Sequence, residues 1–274
     1  MVDKVQVLEN HQPIKALDSF TFSDKATINI KLNSRAKNKL FATAKVGIGV
    51  APLLWDDELV GFNFRKGFQF ISGYKTNNIG NNLQNETNSL VINQYDRLSF
   101  LNKKQDVLFL VNPATPQFEE KKYLFNKSHL VYANSLWVLD KISQIKFNLS
   151  YLNNTFEKNA TAASVYYLPQ DTVTINEKQQ QQIKNQQFLA DLGLTINSKQ
   201  FFLKNNLKVE GYWSKETGLI ESSANTLQDL KNPLYQVINN FHLISVKGKK
   251  RMEFNSNSIF KSRAMSTPGC NRCR

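Results

Sequence analysis

Residues 144–152 alternate strictly between polar and apolar side chains, and this alternation constrains the fold more than any other feature of the chain. Gln144, Lys146 and Asn148 fall on one parity, whereas Ile145 and Phe147 fall on the other. A period of two predicts a β-strand with one polar and one apolar face. In a soluble sheet the apolar face packs into a core, whereas in a membrane barrel it contacts lipid and the polar face lines the interior.

Period-two segments recur along the chain and predict an all-β, antiparallel fold. They are residues 26–32, 40–50, 59–65, 68–74, 130–139, 188–197, 202–213, 241–246 and 251–260. Helical signals are weak, and the best of them, the Gln-rich stretch 176–187, predicts one or two helical turns within a loop. No apolar run approaches the roughly 18 residues of a membrane-spanning helix.

The connections between these segments alternate between short and long. Short links at 65–67, 140–143, 198–200 and 247–250 are separated by long polar links at 75–128, 153–187 and 214–240. Successive antiparallel strands place alternate connections at opposite ends of a sheet, so one end carries tight turns and the other carries large loops. This asymmetry is typical of outer-membrane barrels, and structureless loops of this length are uncommon in soluble domains. We therefore predict an antiparallel up-and-down transmembrane β-barrel, located in the bacterial outer membrane.

The parity of each strand predicts which side chains line the barrel interior and which contact lipid. The predicted interior residues are Thr43, Lys45, Asn63, Arg65, Gln144, Lys146, Asn148, Asp191, Lys208 and Glu210. The predicted lipid-facing residues are Val46, Ile48, Ile145, Phe147, Leu149, Tyr151, Leu192 and Leu194. Aromatic residues at the long-loop end of the strands, namely Trp55, Tyr74, Tyr151 and Trp213, predict an interfacial girdle.

The chain is strongly basic, with a net charge of +13. Its lysines occur in turns and singly along strands, and no basic segment carries the interleaved aromatic residues of a nucleic-acid-binding platform. We therefore expect no nucleic-acid partner. A soluble basic β-protein that binds nucleic acid or polysaccharide remains an alternative interpretation.

No motif in the chain predicts catalysis. The three histidines are far apart and lack the spacing of a metal site or a catalytic triad. Cys270 and Cys273 form a single C-x-x-C without a second cysteine pair. We therefore predict a protein that is not an enzyme, with no metal site and no cofactor. The composition of residues 262–274 differs from the rest, which predicts an unstructured tail and leaves a non-native origin open.

Three tracts of the chain resemble a known family. The sequences "VDKVQVLEN" and "FSDKATINIKLNSRAKNK" resemble the end of the plug domain of TonB-dependent outer-membrane receptors. Residues 39–86 and 122–154 resemble barrel hairpins of Bacteroidetes-type members. The resemblance implies the C-terminal part of a plug over residues 1–38 and the first barrel strands, with long outer loops, over residues 39–261. It also implies energy-coupled uptake of an external ligand through a plugged barrel, with outer-membrane lipid and the TonB complex as partners.

The chain also departs from the family pattern. Family plugs commonly have a glycine soon after the first of these strands, whereas Glu9, Asn10 and His11 stand here. The segment that contacts TonB is absent, so the resemblance assigns energy coupling to no residue of this chain. The chain has about nine predicted barrel strands, against the 22 that the resemblance implies, and we therefore expect it to be a fragment of a longer receptor. A passive, porin-like barrel is the alternative, and the external ligand is unknown.

Overall fold

Most of the described part of the chain is β-strand. A computed structural model describes residues 2–8, 12–18, 20, 26–32, 39–50, 52–84, 86, 111, 113–222, 225–263 and 270–272. Its helical elements include two short 3-10 helices, Lys15–Leu17 and Glu120–Lys122. Among these residues, no helix has the length and apolar character required to cross a membrane.

The strands lengthen markedly along the chain. Their bounds are β1 Val2–Leu8, β2 Thr27–Leu32, β3 Leu40–Lys45, β4 Ile48–Gly49, β5 Leu54–Phe64, β6 Phe68–Asn77, β7 Phe125–Val138, β8 Ser143–Tyr167, β9 Thr172–Asn197, β10 Phe201–Glu221, β11 Thr226–Lys247, β12 Lys250–Arg263 and β13 Cys270–Arg272. Strands β8 and β9 contain 25 and 26 residues. Strands β10 and β11 contain 21 and 22.

The strands form an antiparallel meander, which confirms the predicted all-β antiparallel class. Strands β3 and β5 to β12 pair with their neighbours in chain order within an 11-stranded sheet, while β4 pairs with β5 and β13 pairs with β11. Within the described residues, β3 and β12 each pair on one side only. Strands β1 and β2 form a separate two-stranded antiparallel sheet.

Two of the three predicted long links are short turns, whereas the predicted long link 75–128 is confirmed, because β6 ends at Asn77 and β7 begins at Phe125. At one end, here called the turn end, the connections are 65–67, 139–142, 198–200 and 248–249, as predicted. At the far end, only 168–171 separate β8 from β9, and only 222–225 separate β10 from β11. The segments 153–187 and 214–240 are therefore mostly strand, and the prediction of long loops there was wrong. The Gln-rich stretch 176–187 belongs to β9, so its predicted helical turns were wrong as well.

The two faces of the sheet differ in both burial and charge. Asn148 pairs with Asp191, which pairs with Lys208, so their side chains share one face, here called the polar face. These three side chains are 7 %, 5 % and 0 % exposed. The opposite face, here called the apolar face, carries exposed Phe147 and Leu192. The polar face buries apolar side chains beside these charged ones, among them Leu130, Leu152 and Ile238. The exposed face is the uncharged one, whereas soluble proteins usually expose their charged side chains.

Two described residues of the connection between β6 and β7, Leu83 and Val111, lie against the polar face. Leu83 packs into a buried cluster with Leu130 and Leu152, both of which point from that face. Val111, also from this connection, lies so close to Gly218 of β10 that a Cβ atom there would come within 2.5 Å of the Val111 Cβ. Glycine is therefore needed at 218 because the backbone of the strand meets the covering segment directly.

A second segment covers the polar face near the turn end. Ala16 packs against Phe202 of β10 and Ile244 of β11 in a small buried cluster. The Asn197 Oδ1 atom of β9 accepts a hydrogen bond of 2.9 Å from the Lys15 backbone N–H. The segment 12–18 is thus attached to three adjacent strands.

The end of the chain departs from the predicted unstructured tail. Strand β12 continues to Arg263, and Cys270–Arg272 pairs antiparallel with 226–228 of β11. The described residues 262, 263 and 270–272 therefore belong to strands, contrary to the prediction. Cys273 lies outside the described residues.

Candidate functional site

The apolar face of β6 to β11 carries a continuous region without a charged side chain, here called the apolar band. By strand register it comprises Phe68, Phe70, Ser72, Tyr74, Val131, Ala133, Ser135, Trp137, Ile145, Phe147, Leu149, Tyr151, Phe188, Ala190, Leu192, Leu194, Ile196, Phe201, Leu203, Asn205, Leu207, Val209, Tyr235, Val237, Asn239, Phe241 and Leu243. The polar face of the same strands carries Lys146, Asp191, Lys204, Lys208 and Glu210. Charge is therefore restricted to one side of the sheet along this length.

Aromatic residues mark the upper limit of the apolar band, on the side away from the turn end. In the register, Tyr74 pairs with Val131, Val131 with Tyr151, and Tyr151 with Phe188. Phe188 pairs with Gly211 of β10, which pairs in turn with Tyr235 of β11. We call Tyr74, Tyr151, Phe188 and Tyr235 the aromatic row. These four side chains lie at one level across strands β6 to β11.

The indole ring of Trp213 fills the position that Gly211 leaves open in the aromatic row. A Cβ atom on Gly211 would lie 2.6 Å from the Trp213 ring, so the ring lies directly over the glycine backbone. The Trp213 Nε1–H donates a hydrogen bond of 2.8 Å to the Tyr235 hydroxyl. Their ring centroids are 5.6 Å apart, with the rings nearly perpendicular. The glycine therefore allows an aromatic ring to complete the row at β10.

Beyond the aromatic row the same face becomes polar, and we call this part of strands β7 to β11 the overhang. On the face that carries Phe147 and Tyr151, the next residues of β8 are Asn153, Thr155 and Glu157. Four residues beyond the row lies a second register line, in which Lys127 pairs with Thr155, Thr155 with Lys184, Lys184 with Lys215, and Lys215 with Lys231. We call Lys127, Lys184, Lys215 and Lys231 the lysine row. All four side chains are exposed.

A buried group of charges lies on the polar face behind the apolar band. The Lys208 Nζ atom is 2.8 Å from Glu210 Oε1, with the two side chains 0 % and 4 % exposed. Neither carboxylate oxygen of Glu210 makes a hydrogen bond of good geometry. The attraction between Lys208 and Glu210 is therefore electrostatic. Asp191 lies directly across from Lys208 on β9. Buried charges are costly unless they are paired, and this cluster meets that requirement.

A chain of buried amides and a hydroxyl continues the polar face toward the overhang. The Asn126 Nδ2 group donates to Asn77 Oδ1 at 2.9 Å and to Ser128 Oγ at 2.6 Å. The Ser128 hydroxyl donates in turn to Asn154 Oδ1 at 2.6 Å. These residues come from β6, β7 and β8, so the network joins three strands across a water-poor surface.

The structure brings eight of the ten predicted interior residues to one face. By register and strand parity they are Thr43, Lys45, Gln144, Lys146, Asn148, Asp191, Lys208 and Glu210. Of these, Asn148, Asp191, Lys208 and Glu210 are buried. Whether this face lines a barrel interior remains a prediction.

Asn63 and Arg65 do not join that face, and grouping them with it was wrong. Asn63 pairs with Phe70, which places its side chain on the apolar face, where it is buried. The register places its neighbour Phe62 on the polar face instead. There its ring stacks on that of Phe41, with the centroids 5.5 Å apart. Arg65 follows the last residue of β5 and lies in the turn.

None of the eight predicted lipid-facing residues is buried. Six of them belong to the apolar band, namely Ile145, Phe147, Leu149, Tyr151, Leu192 and Leu194. Ile48 lies in β4 and pairs with Trp55. Val46 lies just past β3 and is 73 % exposed. Contact with lipid remains a prediction for all eight.

Sequence reasoning missed the lysine row and Phe188. A spacing signal was present for part of the row, because Lys184 and Lys231 each precede an aromatic-row residue, Phe188 or Tyr235, by four positions. The other lysines could be placed only from the register of β7 and β10. The covering contact of Leu83 gave no local signal, since it depends on a fold-back between distant segments.

The described residues offer no group of three His, Cys, Asp or Glu side chains arranged to hold a metal ion. No protein-family model matches the chain, and no curated protein matches it either.

Proposed function

We propose that this chain forms part of an outer-membrane receptor, comprising the end of a plug domain and the first strands of a β-barrel. The receptor would take up an external ligand by energy coupling, as the family resemblance implies. The observation that carries the proposal is the segregation of charge between the two faces of β6 to β11. A charge-free outer face bounded by aromatic residues is typical of barrels that contact lipid.

The dimensions of the apolar band support a membrane location. Strand β9 crosses the band in residues 188–196, which pair with residues 143–151 of β8. A tilted strand needs about 9–11 residues to cross the hydrocarbon core. The crossing has nine residues, which matches this requirement.

The covered polar face supports a plugged barrel over an open pore. Lys208 is fully buried, and Leu83, Val111 and Ala16 all pack against the polar face. In a wide passive pore these positions would line water. The residues 12–18 fall within the range that resembles the plug, and they are attached to β9, β10 and β11 at the turn end.

The first experiment tests the orientation of the sheet in a membrane. In the full-length gene product, Cys270 and Cys273 are replaced by serine and single nitroxide labels are placed at each position from 144 to 151. The electron-spin relaxation of labels at 145, 147, 149 and 151 should be accelerated by oxygen dissolved in the lipid. Labels at even positions should respond instead to a water-soluble nickel chelate or to neither reagent. Opposite parity, or no parity, would refute the lipid-facing assignment.

A second experiment separates the receptor from its two alternatives. The full-length gene product, reconstituted in a planar bilayer, should give no steady conductance, because a plugged barrel is closed at rest. A large constant conductance would favour a passive, porin-like barrel. A protein that stays soluble without detergent and binds heparin in a salt-dependent manner would favour the soluble basic β-protein.

A further inference from the structure

We propose that the lysine row binds the phosphate groups of anionic lipid headgroups along the outer boundary of the apolar band. The inference rests on the proposed membrane location, and it adds a lipid-binding surface to it. The four lysines belong to β7, β9, β10 and β11, and Thr155 occupies the intervening position on β8.

The height of the row matches the headgroup layer. Four residues separate each lysine from the aromatic-row level of its own strand, which corresponds to about 13 Å along the strand. A strand tilt of about 35–45° reduces this to about 10 Å along the membrane normal. Aromatic girdles lie at the membrane–water interface. A flexible lysine stem can reach back toward that interface while its ammonium group stays in water.

The shape of the row favours a layer of lipids over a single soluble anion. Lys184, Lys215 and Lys231 lie on three adjacent strands, which are spaced about 4.8 Å apart. With Lys127 the row extends across about 19 Å, four strand spacings. This is an open line along the sheet and not an enclosed cradle, so one phosphate would meet only one or two of the lysines. A plane of headgroups would meet all four.

The surrounding charges leave the row positive. The next register line beyond it carries Glu157, which accepts a hydrogen bond from Gln182, and Asp229, which accepts one from Thr217. Both acids are two residues farther from the apolar band. The register line nearer the membrane is therefore cationic, and the acids of the same face lie one register line farther from it.

Native mass spectrometry of the full-length gene product in detergent tests this inference. The protein is incubated with phosphatidylglycerol or with phosphatidylcholine, and bound lipids are counted. The wild type should retain phosphatidylglycerol preferentially. Replacing all four lysines with glutamine should abolish the preference, with affinity falling about fivefold for each lysine removed. Replacing all four with arginine should preserve it, because the charge is kept. Equal lipid retention by the wild type and the glutamine variant would overturn the inference.

Two controls separate this inference from its alternatives. Adding 10 mM inorganic phosphate should leave bound lipid unchanged, whereas displacement of the lipid would identify a general phosphate site and refute a lipid surface. The nitroxide scan of residues 144–151 is repeated in the glutamine variant. Normal parity with lost lipid preference supports the lysine row. Absent parity in the wild type itself means that the proposed function has failed, independently of the lysines.

Discussion

The apolar band and the overhang share strands and a hydrogen-bond ladder but present different surfaces. In β8, the band side chains Phe147 and Tyr151 give way to Asn153 and Thr155 at the same parity, and the pairing with β9 continues without a break. Backbone pairing therefore extends the strand whatever its side chains. The polar or apolar character of the side chains can therefore change along a strand without ending it.

The same two regions contain ion pairs in contrasting environments. Lys208 and Glu210, behind the apolar band, are 0 % and 4 % exposed. Lys178 and Glu221 lie opposite each other in the overhang, at 3.4 Å, and are 53 % and 41 % exposed. In the first pair each buried charge needs its partner, because water does not reach it. In the second pair water solvates both charges.

Removing one partner from each pair should give the largest difference between the regions. Lys208→Met leaves Glu210 buried without its cation and should lower the free energy of unfolding by about 3–5 kcal/mol. Lys178→Met should change it by about 0–1 kcal/mol. Urea unfolding of the full-length gene product in lipid vesicles measures both. Similar losses in the two variants would show that the polar face is as solvated as the overhang.

A charge placed on each region of one face should give the next largest difference. Leu192→Arg puts a guanidinium group at the middle of the apolar band and should cost about 2–4 kcal/mol if that band lies in lipid. Gln186→Arg lies on the same face of β9, beyond the aromatic row, and should cost little. The yield of folded protein in vesicles reports both effects. If the two variants fold equally well, the band does not contact lipid.

Filling the space under Trp213 should disturb the boundary between the regions. Gly211→Val would collide with the indole ring and should destabilise the protein by about 1–3 kcal/mol, as overpacking usually does. Gly61→Val is the matched control, because a Cβ atom there meets no atom closer than 3.9 Å. The emission maximum of Trp213, with Trp55 and Trp137 replaced by phenylalanine, should shift only in the first variant. An unshifted maximum would mean that the ring does not depend on the glycine.

The smallest expected effect compares the turns at the two ends of the sheet. The Asp140 carboxylate accepts hydrogen bonds from the backbone N–H groups of Ile142 and Ser143, at 2.7 and 2.8 Å, which lower its pKa. Because the folded pKa is depressed, the stabilisation is complete above the unfolded value of about 3.9 and disappears as pH falls through the folded value. Asp171, in the turn at the far end, accepts one such bond, from Thr172.

Asp140→Asn should therefore be less stable than the wild type at pH 6, and the difference should shrink as pH falls below about 4. Asp171→Asn serves as the comparison at the far end. Unfolding curves at several pH values measure the change. A stability difference for Asp140→Asn that does not vary with pH would rule out the carboxylate as its source.

Much of the sheet was predictable because the apolar band follows a strict period of two. Segments such as 188–197 alternate cleanly, and the structure places them in β9 with the expected partners in β8 and β10. The overhang was missed for a physical reason. Both of its faces are largely polar, so the alternation of polar and apolar residues disappears although the strand pairing continues. A strand rich in Asn, Gln and Lys then has the composition of a loop.

Asn63 shows why residue type alone can assign a face wrongly. In residues 61–65, Phe62 and Phe64 alternate with Asn63 and Arg65, and residue type alone predicts that the aromatic residues lie on the apolar face. The register, carried from Lys45 opposite Glu58 along β5, turns Phe62 and Phe64 to the polar face instead. There Phe62 stacks on Phe41. Long-range packing of this kind leaves no trace in a local pattern, and the covering contacts of Leu83 and Val111 were unpredictable for the same reason.

The length of the β8–β9 hairpin has a consequence for how it opens. Near the tip, residues 162–167 of β8 and 172–177 of β9 pair with each other and, among the described residues, with no third strand. Residues 161–176 are all exposed. With little packing to make these rungs separate together, they can be lost one at a time, starting at the tip. Amide exchange should therefore slow progressively from Tyr167 toward Leu152. A mechanical force applied at the tip would separate the residue pairs of β8 and β9 one after another at low force, until it reaches the level of the aromatic row.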